Sequence, residues 1–265
     1  GAYPLSVPEL RGRKYVVAFV LLPMYRKSNK SVIERIHQME QNQKDYREYI
    51  ESWVHEIKAP ITAIALKCEN NRDERSRYLL VENRKVENYV DMALYYARMD
   101  AVYKDYMIAE TNLQEVAQQV LLQNKYYLIQ SHVKAEVACP DTVYSDKKWI
   151  AFILNQLIQN SVKYGRSEGT HIQIVTKKTK RGVLLRVKDD GIGIPKEEIP
   201  RIFEKGFTGT NGRNRERSTG MGLYLCRKLC DKLNIEIRAE SAEGKGTEII
   251  LMFPVSDYLT GYRET

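Results

Sequence analysis

Several things are scarce or missing in these 265 residues. Only four cysteines occur, Cys68, Cys139, Cys226 and Cys230, and no pair has Cys-x-x-Cys spacing. That speaks against a metal site or a disulfide framework and for core packing in a reducing compartment. The four histidines form no His-x-x-x-His cluster, so a metalloenzyme is not supported. The longest apolar run, Tyr15–Met24, is interrupted by Pro23. It is about half of the roughly 20 residues a helix needs to span a bilayer, and it lacks a signal-peptide cleavage pattern. A soluble chain is expected, with a membrane portion outside it left open. No Gly-x-Gly-x-x-Gly follows a strand and no Gly-x-x-x-x-Gly-Lys-Ser/Thr occurs, which argues against Rossmann and P-loop nucleotide sites. There is no internal repeat.

What is present suits one large domain or two modest ones, with 43% hydrophobic and 29% charged residues. The net charge of +8 is concentrated: residues 1–30 carry six Lys or Arg against one Glu. A second basic stretch runs through Arg213, Arg215, Arg217, Arg227 and Lys228. Such charge suits nucleic acid, a membrane surface or a polyphosphate, and by itself does not choose. No nucleic-acid reader motif accompanies it, so no nucleic-acid partner is expected.

Periodicity divides the chain. From Val32 to Cys68 apolar side chains recur in steps of three and four (Ile50, Trp53, Ile57, Ile61, Ile64 among them), the pattern of one long helix. A polar break at residues 69–73 precedes a second helix carrying Leu79, Val86, Val90, Ala93 and Ala97 on one face. The short break predicts an antiparallel hairpin. One hairpin buries two apolar stripes poorly, and pairing with a second copy into a four-helix bundle would bury them. Beyond residue 105, Thr111 with Gln114 reads as a capping box opening a helix to about Gln130. Val133–Ala138 alternates like a strand. Asp146 caps a helix ending at Gly165, whose glycine suits the left-handed position after a helix. Ile172–Thr176 and Val183–Lys188 read as a hairpin about 180–182. A helix near 221–233 and strands near 235–240 and 247–253 complete an α+β domain, a sheet covered by helices.

The first helix carries Trp53-Val54-His55-Glu56-Ile57-Lys58-Ala59-Pro60. With Ile50, Trp53 and Ile57 on the seam, His55 lies on the outer face, open to a bulky donor. A neutral imidazole nitrogen is a nucleophile, and Glu56 beside it can orient the ring or take up its proton. Pro60 offers no N–H to the carbonyl of Glu56, so the helix should bend or loosen there. Taken alone, His55-Glu56 reads more plainly as a surface pair. His37, His132 and His171 have no comparable setting.

Four later segments alter that balance. Gln156, Asn160 and Lys163 share a helix face, followed by Tyr164; an amide oxygen suits Mg²⁺ and a lysine one turn on suits phosphate. Asp189-Asp190-Gly191-Ile192-Gly193 follows a strand, where a carboxylate can accept from the adenine amino group. Arg201-Ile202-Phe203-Glu204-Lys205-Gly206-Phe207 leads into a Gly-, Asn- and Arg-rich stretch read as a lid. Gly220-Met221-Gly222-Leu223 opens a helix whose N–H groups suit phosphate, and Gly244-Lys245-Gly246-Thr247 precedes the last strand. Each is weak singly; their order and spacing are specific.

Across roughly residues 31–256 the chain resembles the two-component sensor histidine kinases. His55-Glu56-Ile57-Lys58-Ala59-Pro60 is similar to their phosphoacceptor box, and the later segments to the N, G1, F and G2 boxes of a Bergerat-type ATP-binding domain. The resemblance implies that Asn160 binds Mg²⁺ and that Lys163 and Tyr164 contact the nucleotide. It implies that Asp189 reads adenine, that Gly191, Gly193, Gly220 and Gly222 shape the pocket with Phe203, Leu223 and Thr247, and that Glu56 assists transfer to His55. The narrower pattern of residues 53–58, 205–209 and 218–225 resembles the intramembrane-sensing kinases of Gram-positive bacteria that work with peptide-antibiotic ABC transporters. In those, two transmembrane helices precede such a chain, making it the cytoplasmic portion of a cell-membrane protein. Two departures stand out: Gln156 replaces the usual asparagine, and Ala59 replaces threonine or asparagine.

The implied organisation is a membrane-proximal segment or linker at 1–30, a dimerisation and phosphotransfer domain at 31–102, an ATP-binding domain at 108–256 and a tail at 257–265. ATP and Mg²⁺ are the implied cofactors. A homodimer, a response-regulator receiver domain and a peptide-antibiotic ABC transporter are the implied partners. Rival readings are another ATPase of the same nucleotide fold, such as a chaperone or topoisomerase subunit, and a non-catalytic basic binding module. One expectation follows from Ala59. It lies one turn beyond His55, where an alanine cannot hold a water in line with a regulator's aspartyl phosphate. Decay of the phosphorylated regulator in the presence of this chain and ADP should be slow and faster with Ala59→Thr; rapid decay unchanged by that substitution would contradict it.

Overall fold

The computed structural model describes residues 22–71, 73–99, 107–210 and 219–255. These residues fall into two units that divide between Trp53 and Val54. Helix α1, Leu22–Asn70, begins ten residues before the apolar periodicity predicts and crosses from one unit to the next. In the first unit it is a solvated helix: Ile33, Ile36, Met39, Tyr46 and Tyr49 are exposed. Ion pairs one turn apart, Lys30–Glu34 at 3.9 Å and Lys44–Glu48 at 3.7 Å, decorate it and contribute a few tenths of a kcal/mol each at most.

In the second unit α1 continues through Pro60 as helix and pairs with α2, Glu74–Arg98. Asn83 donates to the Ile61 carbonyl at 2.9 Å and Lys58 meets Asp91 at 2.8 Å. Lower numbers on α1 thus face higher numbers on α2, an antiparallel hairpin. Asp73 caps α2 by accepting from the Ser76 N–H at 2.6 Å. The α1 side chains that are buried are Val54, Ile61 and Cys68, seven residues apart, while Trp53 and Ile64 of the predicted seam are exposed. Ile61 and Cys68 belong to the predicted seam, Ile50 and Ile57 of it are half-buried, and at position 53 the neighbour Val54 is buried instead. On α2, Val81 and Val90 are buried and Leu79 and Val86 exposed.

The remainder is a two-layer α/β sandwich. Strands β2 (Val133–Ala138), β4 (Thr170–Thr179), β5 (Gly182–Asp189), β6 (Glu236–Ala242) and β7 (Gly246–Pro254) form one sheet in the order β2-β4-β5-β7-β6. Only the β2–β4 pair is parallel. Ile172 and Ile174, Leu185 and Val187, and Ile249, Leu251 and Phe253 alternate at period two and face one way into the core. Helices α3 (Leu113–Gln123), α5 (Lys147–Lys163) and α6 (Gly222–Lys232) cover that face, with α4 (Lys125–Gln130) beside β2. A small antiparallel ladder joins β1 (Ala109–Asn112) to β3 (Thr142–Ser145).

Eleven of the seventeen residues of α5 are buried. A helix apolar on so much of its circumference must be covered on two sides. The sheet lies below. Above, Tyr95 of α2 packs its ring on Trp149 at 4.9 Å and on Phe152 at 4.0 Å. Burial pushes the Tyr95 phenol up to about 12. Beside these rings runs a ladder of buried amides. Asn155 of α5 donates to Asn88 Oδ1 at 2.9 Å and accepts from Asn124, in the α3–α4 turn, at 2.8 Å. Each amide answers the next, which fixes how α2 registers against α5.

Two predicted local features differ. Thr111 does not cap α3: it sits in β1 opposite Val143, and its hydroxyl donates to the Ser145 carbonyl at 3.0 Å. Asn112 is the cap, accepting from the Glu115 N–H at 3.2 Å, while the Gln114 side-chain Oε1 accepts from the Cys139 N–H at 2.7 Å. Strand pairing with β3 outcompetes the local box. Gly165 is not among the left-handed glycines. A Cβ there would stand 2.3 Å from Thr170 Oγ1, so close approach of β4 is what requires glycine.

The amide ladder yields a stability prediction. Asn155→Ala removes the partner of both Asn88 and Asn124 and should lower unfolding free energy by about 2 kcal/mol. Urea unfolding measures this; a midpoint equal to wild type would show that the ladder contributes nothing.

Candidate nucleotide-binding site

The site is built around a carboxylate at the end of β5. Asp189 Oδ2 accepts from the Ser161 hydroxyl of α5 at 2.8 Å. Its Oδ1 accepts from the Gly191 N–H at 3.0 Å and from the Thr247 N–H of β7 at 3.2 Å. The strand pair places Asp189 directly opposite Thr247, so the sheet register itself aims one of these donors. Burial raises the pKa of Asp189, and the three hydrogen bonds oppose that rise. A carboxylate offers about four acceptor positions. Three are taken from within the fold, leaving acceptor capacity for an N–H brought by a ligand.

A cavity of about 200 Å³ opens beside it, lined by Asp189, Gly193, Gly220, Gly222, Leu223 and Thr247. Along α5 the lining continues with Gln156, Gln159, Asn160, Lys163 and Tyr164. The backbone closes the far wall tightly. Gly193 has φ +71°, and a Cβ on it would lie 2.0 Å from the Ala242 carbonyl oxygen. Gly220, at φ +64°, abuts Gly206, and the Gly206 N–H donates to its carbonyl at 3.1 Å. Neither position accommodates a side chain. Gln156 is 6% exposed, and its Nε2 has no hydrogen-bond partner among the described residues. It stands against the start of α6, where a Cβ on Gly222 would lie 2.7 Å from its Oε1.

An acceptor, a helix start with an unanswered amide donor beside it and a lysine, all lining one cavity, suit an amino-bearing base with an anionic tail. Asn160 on the same wall offers one amide oxygen, a donor type that Mg²⁺ accepts while keeping water and phosphate in its remaining positions. The residues present therefore fit Mg-ATP.

Comparison with known proteins supports the nucleotide part of this fit. Residues 145–257 match the family described as histidine kinase-, DNA gyrase B-, and HSP90-like ATPase. Over 222 residues the chain is 32% identical to sensor histidine kinase YxdK of Bacillus subtilis (strain 168), spanning 83% of this chain and 68% of that protein. The chain belongs to the sensor histidine kinases. It is also 35% identical over 218 residues to sensor protein kinase GraS of Staphylococcus aureus (strain JH1), spanning 80% of this chain and 62% of that protein. The histidine kinase AdeS of Acinetobacter baumannii shares the fold, with a TM-score of 0.53 at 20% identity over 76% of this chain and 98% of that one.

Within this kinase the predicted site residues do not all converge. Asn160, Lys163, Tyr164, Asp189, Gly193, Gly220, Gly222, Leu223 and Thr247 line one cavity. Gly191 stands behind it as a donor to Asp189. Phe203 does not line it: the ring packs partly buried against the core, and its neighbour Ile202 together with Phe207 reaches the cavity instead. His55 and Glu56 are exposed on α1 and are not among the lining residues. Arg213, Arg215 and Arg217 of the predicted lid lie outside the described residues. No helix among the described residues is long and apolar enough to cross a membrane.

Two contributors escape a reading of the motifs. Ser161, inside the asparagine-bearing segment, anchors Asp189; its position one residue after Asn160 was the available signal. The other is a wall from α2, including Arg84, Lys85 and Asn88. Those positions recur at helical spacing, but as polar residues they carry no periodic apolar signal.

Asp189 carries the sharpest test. Its raised pKa means that ionising it costs the fold: the contribution to stability is present at low pH and lost as pH rises through the folded value. Asp189→Asn removes that cost at neutral pH and keeps an oxygen for the Gly191 and Thr247 N–H groups. It presents a donor where the ligand's amino group needs an acceptor. ATP affinity should fall roughly tenfold or more while the thermal midpoint stays at or above wild type. Retained affinity, measured by calorimetry, would remove Asp189 from the site.

Proposed function

We propose that this chain carries out Mg-ATP-dependent autophosphorylation of His55 and passes the phosphoryl group to an aspartate of a response-regulator receiver domain. The observation that carries this is the conjunction, in one sensor histidine kinase chain, of an exposed His55 on a continuous helix with an adenine-suited Asp189 cavity. Asp189 accepts from the adenine amino group, and Gly193 and Gly220 let the backbone close on the nucleotide. Lys163 and the Gln156 amide face the phosphates. Asn160 would hold Mg²⁺, which would supply charge neutralisation at the phosphates. The neutral imidazole nitrogen of His55 forms a bond to the γ-phosphorus as the bond to the β,γ-bridging oxygen breaks, releasing ADP. Glu56 takes up the imidazole proton. Catalysis in this scheme is positioning and electrostatics.

The domain organisation follows the same reading: 31–102 for dimerisation and phosphotransfer, 108–256 for ATP binding, with 1–30 a membrane-proximal segment or linker. Exposed Ile33, Ile36, Met39 and Trp53 on α1, with Leu79 and Val86 on α2, support a homodimer closing a four-helix bundle. The similarity to Gram-positive kinases supports peptide-antibiotic or cell-envelope stress sensing with an ABC transporter as partner.

The deciding experiment labels the chain from γ-labelled ATP. His55→Gln should abolish labelling while nucleotide binding persists, and the wild-type linkage should be acid-labile and base-resistant. Wild-type labelling in the His55 variant, or an acid-stable phosphate, would overturn the proposal and leave an ATPase of the same nucleotide fold.

A further inference from the structure

The wall that α2 gives the cavity is a single helical stripe: Val81, Arg84, Lys85, Asn88, Tyr89 and Met92 recur at spacings of three and one. It lines the same cavity as Gln156, Asn160 and Lys163 of α5. The Asn88–Asn155 hydrogen bond pins the register of the two helices, so Arg84 and Lys85 occupy the turn of α2 before that pin. We propose that Arg84 and Lys85 complete the nucleotide site by binding the terminal phosphates of ATP, which makes a helix of the hairpin part of the nucleotide pocket. The proposal rests on the reading that this cavity takes ATP.

Charge distribution is the first support. Arg84 pairs with Glu87, and Lys85 with Glu82 at 3.0 Å. The two cations line the cavity and the two glutamates do not. Glu198, which does line it, is engaged by the Thr210 N–H and hydroxyl at 2.9 and 2.6 Å. Asp189 is engaged by its three donors. Three cations thus line the cavity, Arg84 and Lys85 from α2 and Lys163 from α5, and of the two lining carboxylates neither is left to compensate them. The second support is the state of the guanidinium. Its Nη2 reaches Gln123 Oε1 at a long 3.3 Å, and its Nε is buried with no hydrogen-bond partner among the described residues. An arginine with a buried, unanswered donor beside a cavity gains most from an anion, because charge-assisted hydrogen bonds to phosphate are about twice as strong as neutral ones. A ligand with one phosphate on the ribose does not extend as far as one with three, so the α2 wall should discriminate by phosphate number.

The test titrates the full chain with Mg-ATP, ADP and AMP by calorimetry. The double variant Arg84→Ala/Lys85→Ala should bind Mg-ATP about tenfold more weakly or worse and bind AMP as wild type does. Arg84→Lys in the Lys85 background should recover most of the loss. Glu87→Gln, which frees Arg84 without touching the cavity, should leave ATP affinity equal or tighter. Unchanged ATP affinity in the double variant would overturn the proposal. An equal loss for ATP and AMP would also overturn it, since that is the signature of disturbed α2 packing. A wild-type chain that binds ATP and labels His55 while the double variant keeps its ATP to AMP ratio sinks this inference alone. A wild-type chain that binds no adenine nucleotide sinks the proposed function and this inference together.

Discussion

A carboxylate taken out of water must be met by donors, and Asp189 is the point at which this fold satisfies that demand. Its three partners come from α5, from the turn after β5 and from β7. Each has to arrive from a different segment, so the arrangement holds only when the sheet is in register and α5 is seated. The pairing of Asp189 with Thr247 across β5 and β7 is thus both a sheet contact and a site contact. Burial still keeps the pKa of the group raised. That residual cost is borne by the rest of the fold.

Helix α5 serves the core and the cavity at once. Ile150, Ile153, Leu154, Leu157 and Ile158 lie in the core, and one face of the same helix gives Gln156, Asn160 and Lys163 to the cavity. Because the core side chains are close-packed, the cavity side chains are held without extra structure. The Tyr95 rings and the Asn88–Asn155–Asn124 ladder then seat α2 on this helix. Lys205, at the root of the segment preceding Gly206, donates to the Tyr96 hydroxyl at 2.7 Å and lies over its ring. The hairpin helix is thereby bound to both sides of the nucleotide cavity. These contacts are polar or aromatic rather than a continuous apolar seam. Such contacts specify register more than they add stability.

Much of this was legible in the chain itself. Residues 133–138, Asp146 and the hairpin about 180–182 follow local rules that neighbours do not override. His55 on an outer face and the order of the nucleotide segments also follow from local pattern, because helical spacing and glycine placement are properties of short stretches. The sequence by itself thus determined the architecture, the acceptor histidine as a candidate and nine residues of one cavity. It could not determine what depends on partners distant in the chain. Strand pairing moved the α3 cap from Thr111 to Asn112. Packing against α2 buried Val54 rather than Trp53, and the approach of β4 decided the need for Gly165. Ser161 and the α2 wall joined the site only through contacts 28 and 67 residues apart in sequence. A polar residue's partner is set by tertiary geometry, and neither periodicity nor propensity encodes it.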